Sequence, residues 1–379
     1  MDYALPEKFE EFADARKAGF LRVKQLKENG AKVAGIFCTF TPNEILEAAG
    51  FITVGLCGMS NETVPAAEVH LPKNMCPLIK SSYGFALTDK CPYTYFSDLI
   101  VGETTCDGKK KMYELLGRMK PTYILHLPQG HDSDPVTIWT AELRRFIAFL
   151  EEKFDLTITD DMLRESARKR NLERQAQLAL MELQKQDPPP MAGMQLYATM
   201  EGMGFLFSHE DRLTKINDLR KSVEASADKT ARAGTKRIMV TGCPIGGVLQ
   251  KTVKFIEENG GTVVCFENCS GVKAMFQMVD TEAEDIVKAI AQRYLQIGCS
   301  VMTPNSKRME LIPQLVEEYK IDGIVEVDLQ ACAPYCVESF QIRELAEKLD
   351  VPYMSLETDY SQSDSGQLST RIEAFMEML

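Results

Sequence analysis

Apolar residues along this chain fall into short runs separated by amphipathic stretches. KVAGIF (32–37) and FITVGL (51–56) predict two strands, and residues 97–102 and 121–127 predict two more. A helix is expected from Thr41-Pro42 to Gly50 and another over 107–118, whereas residues 58–94 read as irregular. The second half repeats the alternation. Strands are expected at Arg237–Thr241, in TVVCFEN, at 323–329 and at 352–357. Helices are expected in GVLQKTVKFIEENGG, near 281–297, over 336–349 and in the final GQLSTRIEAFMEML. Such β-α-β alternation predicts an α/β fold with two doubly wound parallel sheets.

Helical periodicity governs the remainder. Residues 4–30 predict a long amphipathic helix with Phe9, Phe12, Ala13, Phe20, Val23 and Leu26 at helical spacing, interrupted by Arg16. Residues 135–185 predict two helices, the second capped by Thr159, and Pro188-Pro189-Pro190 ends them. A Met-rich stretch to about Phe207 and a helix near 210–233 lead to the second half. The expected parts are an N-terminal helix (1–31), a first α/β domain (32–134), a helical insert (135–235) and a second α/β domain (236–379).

Cysteine placement changes the picture more than bulk composition does. The chain of 379 residues has eleven cysteines and four histidines. Cys38, Cys57 and Cys106 follow predicted strands of the first half, and Cys243, Cys269 and Cys332 follow strands of the second. Ligands of open α/β sheets bind beyond the carboxyl ends of the strands, so these thiols are placed to hold a thiolate-seeking group. A formal net charge of −12 argues against nucleic-acid binding. No run is apolar enough for a membrane span and the N-terminus lacks a signal-peptide core, so a cytoplasmic setting is expected, where thiols stay reduced.

Thiolate suits zinc, copper(I) or iron–sulfur. Only Cys265 with Cys269 and Cys332 with Cys336 form C-x3-C pairs, which is poor for a zinc knuckle, and ferredoxin spacings are absent. Cys265 and Cys299 read as packing residues. Cys106 opens a helix in TTCDGKKKMYELL, where the helix dipole and Lys109, Lys110 and Lys111 favour an anion, although solvent is expected to take at least two of these lysines. TGCPIGG (241–247) lacks a phosphate-loop ending and reads as a tight turn around Cys243. His126 and His131 read as polar loop residues. Glu357, Thr358, Asp359 and Tyr360 follow the last strand, where a carboxylate or phenol can donate protons or cap the next helix.

In order, LPKNMCPLIKSSYG, GETTCDGKKKMYELL, TGCPIGG, ENCSG, LQACAPYCVESF and ETDYS resemble the 2-hydroxyacyl-CoA dehydratase and benzoyl-CoA reductase superfamily over essentially the whole chain. Within it the chain looks closest to the double-cubane cluster proteins. The resemblance implies two flavodoxin-like domains holding iron–sulfur between them, fed by a separate ATP-hydrolysing activator with its own cluster. It implies Cys76, Cys106 and Cys332 as ligands of one four-iron cluster, and it suggests Cys38, Cys243 and Cys269 for a second, bridged subcluster, with Cys57 in reserve. Cys91 and Cys299 are less diagnostic, and Cys336 reads as packing. The implied function is reduction of small substrates by low-potential electrons in a homodimer. The alternative is a subunit of a 2-hydroxyacyl-CoA dehydratase with one four-iron cluster. A structural zinc protein is the third reading. The stripes with Phe9, Phe12 and Phe20 and with Leu163, Leu172 and Leu180 are the expected dimer contacts.

Overall fold

The structure, a computed structural model, describes residues 7–130, 134–225 and 232–379. The first sheet holds β1 (Lys32–Ile36), β2 (Phe51–Gly55), β3 (Leu99–Glu103) and β4 (Thr122–Leu125) in the order β2-β1-β3-β4. The second holds β5 (Lys236–Gly242), β6 (Gly261–Glu267), β7 (Gly323–Leu329) and β8 (Tyr353–Thr358) in the order β6-β5-β7-β8. Every pairing is parallel. All five residues of β3 and all seven of β6 and β7 are buried, so both faces of these strands are covered, and in β7 the covered residues include Glu326 and Asp328. Strand order reverses between β1 and β3 and between β5 and β7, so a crevice opens beyond the carboxyl ends of those strands in each half.

Helices cover the faces. The N-terminal helix α1 (Glu7–Glu28) packs against the insert. In the first half, α2 (Asn43–Ala48) joins β1 to β2, and α6 (Asp107–Leu116) joins β3 to β4. The stretch expected to be irregular instead carries α3 (Val64–Ala67), α4 (Pro77–Leu87) and α5 (Pro92–Phe96). Pro77 and Pro92 sit in first helical turns, where a missing N–H costs nothing, so they start helices rather than break them.

The insert comprises α7 (Pro135–Phe154), α8 (Asp160–Glu182), α9 (Gly193–Met203) and α10 (His209–Ala225). Thr159 caps α8 as expected, its hydroxyl accepting from Met162 N at 3.3 Å. In the second half, α11 (Val253–Glu258) is preceded by a 3-10 turn over Gly246–Lys251, shortening the expected helix. Then come α12 (Val272–Met275), α13 (Ile286–Tyr294), α14 (Ser306–Glu318), α15 (Ala333–Lys348) and α16 (Ser365–Met378). Helix α14 was not foreseen; Pro313 inside it disguises its periodicity.

Helix α8 touches both halves. Arg170 and Arg174 pair with Glu47 and Glu44 of α2, while Asn171 exchanges hydrogen bonds with the Val279 backbone at 2.7 and 3.0 Å. Leu163 and Leu180 of the expected dimer stripe are buried inside the chain, leaving Leu172 half exposed. Phe20 is partly exposed and stacks on Phe96. The side chains of Phe9 and Phe12 lie outside the described residues, as does His131. Among the described residues, no helix is long and apolar enough to cross a membrane.

Candidate metal centre

Three helices begin around one cavity. Cys76, Cys106 and Cys332 occupy the residue just before α4, α6 and α15, and none of their sulfurs caps its own helix. Cys91 shows the contrasting case: it precedes α5, and its sulfur accepts from Thr94 N at 3.4 Å. Cys76, Cys106 and Cys332 line a cavity of about 820 Å³ between the halves, whose wall also includes Thr105, Ser300 and Asn305. Helix N-termini carry partial positive charge, so three of them aimed at one space favour an anion there.

Cys243 is buried beside Cys332. Gly242 has a φ of 103°, and a Cβ on it would stand 2.4 Å from the Val327 carbonyl oxygen, so only glycine lets β5 close against β7 here. Cys243 N then donates to that carbonyl at 2.9 Å, and its sulfur accepts from Leu329 N at 3.4 Å. The Cys332 thiol interacts with both Cys243 and Cys76. Interaction with Cys332, and then burial, push the Cys76 thiol well above its ordinary range, and burial raises Cys243. These thiols are therefore protonated without a metal, and loading one must release protons.

A second group of thiols adjoins the first. Cys57 donates to the Phe37 carbonyl at 3.6 Å, beside Cys38. Cys38 lies within electrostatic reach of Cys269 and Cys299, and Cys269 within reach of Cys299 and Cys57. Burial raises the pKa of both Cys38 and Cys269. Cys299 is buried, with its sulfur 3.8 Å from the Tyr335 hydroxyl. Tyr360, from ETDYS, is buried near Cys57, Cys76 and Cys243, while Glu357 is exposed. Thr358 and Lys251 bond Asp364 instead, so among ETDY it is the phenol that faces the thiols.

Polar atoms around the cysteines fit a group not composed of protein. The hydroxyls of Thr39, Thr105, Ser300 and Tyr360 are buried without a hydrogen-bond partner. A buried hydroxyl left unpaired is costly, and sulfide or thiolate would supply an acceptor. Among the described residues, no three Cys, His, Asp or Glu side chains converge on one metal ion. A cluster distributes its cysteine ligands over several irons, so it does not need such convergence.

The six expected ligands divide unevenly: Cys76, Cys106 and Cys332 line the cavity, Cys243 is buried beside Cys332, and Cys38 and Cys269 belong to the adjoining group. Sequence reasoning treated Cys299 as packing and missed Lys273 and Tyr335, which stand beside it. The run ENCSGVKAM held a signal for Lys273, four residues beyond Cys269. His126 is exposed, in keeping with a polar loop role.

A family model described as 2-hydroxyglutaryl-CoA dehydratase, D-component, matches residues 38–379. The chain is 47% identical over 378 residues to YjiM of Escherichia coli (strain K12), described provisionally as a dehydratase subunit; the match spans 99% of this chain and 98% of that one. It is 23% identical over 362 residues to the (R)-phenyllactyl-CoA dehydratase beta subunit of Clostridium sporogenes, covering 94% of each. It is also 23% identical over 361 residues to a benzoyl-CoA reductase subunit of Thauera aromatica, covering 92% of this chain and 91% of that one.

Proposed function

Because the chain belongs to the family of the 2-hydroxyglutaryl-CoA dehydratase D-component, a family of dehydratase and reductase subunits, we propose that its cleft thiols hold iron–sulfur. The function we propose is that of a reductase with a double-cubane centre, acting on small substrates. Its electrons come from a separate ATP-hydrolysing activator, and the chain works as a homodimer. The observation that carries this reading is the number of thiols: Cys38, Cys57, Cys269 and Cys299 form a second group beside the three that line the cavity, more than one four-iron cluster uses.

When bound, such a centre supplies one-electron reduction at low potential. The protein's own contributions are separate from that. The starts of α4, α6 and α15 stabilise negative charge at Cys76, Cys106 and Cys332. Thr105 and Ser300 belong to the wall of a cavity with room for a small molecule, and the Tyr360 phenol is positioned to hold a proton beside Cys76 and Cys243.

A second reading has its own support. Only three cysteines line the cavity, and two of the relatives above are named as dehydratase subunits, which suits a 2-hydroxyacyl-CoA dehydratase subunit with one four-iron cluster. Anaerobic iron and sulfide analysis with EPR separates the two. The double-cubane reading expects about eight irons per chain and the single-cluster reading about four. Zinc without acid-labile sulfide ends both. Acetylene reduction that requires activator, ATP and a strong reductant supports the reductase, whereas rapid dehydration of a 2-hydroxyacyl-CoA supports the alternative.

A further inference from the structure

The run Lys109-Lys110-Lys111 has three different surroundings. Lys110 pairs with Asp107 at 2.6 Å, and Lys111 pairs with Glu114 at 2.7 Å in solvent. Lys109 turns inward, half-buried, and donates to the Phe37 carbonyl at 3.1 Å. Among the described residues, no carboxylate stands within ion-pair distance of it; Glu103 is within electrostatic reach but farther off. The groups around it are Tyr113 and the thiols of Cys38, Cys57 and Cys106.

The second half offers a counterpart. Lys273 is buried on α12, donates to the Tyr335 hydroxyl at 2.7 Å and lies 5.2 Å from that ring's centre. It stands near Cys269 and Cys299, with Glu267 at 3.7 Å. Glu267 is shared with Arg308, so the Lys273 charge is only partly offset.

An ammonium taken out of water pays a large desolvation penalty unless an anion compensates it. Neither a carbonyl nor a neutral thiol is such an anion. Thiolates and sulfides of an iron–sulfur centre would be, and the cysteines that would hold one surround these lysines. Resting on the iron–sulfur reading above, we infer that Lys109 and Lys273, one from each half, are counter-charges of the bound centre and raise its reduction midpoint. The reason is Coulombic: an added electron makes the centre more negative, and a nearby buried cation stabilises that state more than the oxidised one. Lys109, lacking a paired carboxylate, has the larger effect.

The test is anaerobic reductive titration with titanium(III) citrate, followed by EPR, on iron-loaded wild type, Lys109→Met, Lys109→Arg, Lys273→Met and, as a solvated control, Lys110→Met. The expected result is a midpoint shifted to more negative potential in Lys109→Met, a smaller shift in Lys273→Met, and wild-type values in Lys109→Arg and Lys110→Met. Iron lost in Lys109→Met but kept in Lys109→Arg at the wild-type midpoint also supports the inference, because charge then governs assembly. Full iron with an unmoved midpoint in Lys109→Met overturns it. So does equal impairment of the Met and Arg variants, which would make shape, not charge, the requirement. Wild-type protein that binds no iron defeats the underlying reading; iron-loaded wild type with insensitive lysines defeats this inference alone.

Discussion

The two α/β halves share a strand order, yet they use the crossover between their second and third strands differently. In the first half that crossover carries α4, with Cys76 at its start. In the second it carries α14, whose Arg308 reaches Glu267, Glu326 and Glu338 as well as the Thr241 hydroxyl, with the Arg308 side chain fully buried. Glu103 at the end of β3 has no such guanidinium. Thr41 donates to one of its oxygens, and the other has no hydrogen-bond partner. Burial pushes its pKa up to about 7. The second half is not free of a similar group, for burial and Glu326 push Asp328 to about 7 as well. One topology therefore positions thiols in both halves, while Arg308 clamps the buried strand-end carboxylate Glu267 of the second half and, among the described residues, Glu103 of the first has no arginine partner.

Removing the clamp is the harshest way to break this comparison. Arg308→Met leaves three buried carboxylates short of their partner and is expected to destabilise the protein by about 3–5 kcal/mol, measured by anaerobic urea denaturation. A loss below about 1 kcal/mol would show that Lys273 alone can hold the second half together.

Glu103→Gln probes the unclamped half through pH. A carboxyl whose folded pKa is about 7, against an ordinary 4.5, binds its proton more tightly when folded. Its contribution is fully present below about pH 4.5 and is lost as pH rises through about 7. Wild type should thus lose up to roughly 3 kcal/mol across that window on account of Glu103, and Glu103→Gln should remove that part of the slope. Asp328 and Glu257, whose pKa values burial also raises, are expected to contribute to the slope left after the substitution. Identical pH profiles for wild type and variant would show that Glu103 stays ionised.

The mildest test concerns thiols outside the strand-end pattern. Cys265→Ala, within β6, and Cys336→Ala, one turn into α15, should each keep full iron and cost on the order of 1 kcal/mol in thermal melts. By contrast, Cys76→Ala, Cys106→Ala or Cys332→Ala should abolish iron retention. Iron loss in Cys336→Ala would bring that residue into the site.

Strands were legible because burial on both faces fills them with β-branched and other apolar residues, and the 323–329 strand needed no correction at either end even though Glu326 and Asp328 lie within it. The helices between β2 and β3 were not, although the short α2 was. In α4, Gly84 packs against the Thr63 backbone so closely that a side chain would clash, and a glycine kept for that contact weakens the local helix signal. The cysteines at strand ends could be read as a set because the halves repeat. What could not be read was each sulfur's local use: Cys91 and Cys76 both precede a proline that opens a helix, yet only Cys91 caps its own helix. Nor does a linear pattern reveal that Cys299, on the second crossover, stands beside Cys269.

Glu44 of α2 receives Arg174 from the insert and the Tyr294 hydroxyl, at 2.8 Å, from the second half. Burial alone would raise its pKa, but Arg174 and Arg293 hold it at about 2, so it stays charged at any working pH. Three parts of the molecule are tied through one carboxylate that no ordinary acidity can loosen. In mechanical terms the halves are pinned here. Any motion that widens the cleft for a cluster or a substrate must either break this buried junction or turn about it as a pivot.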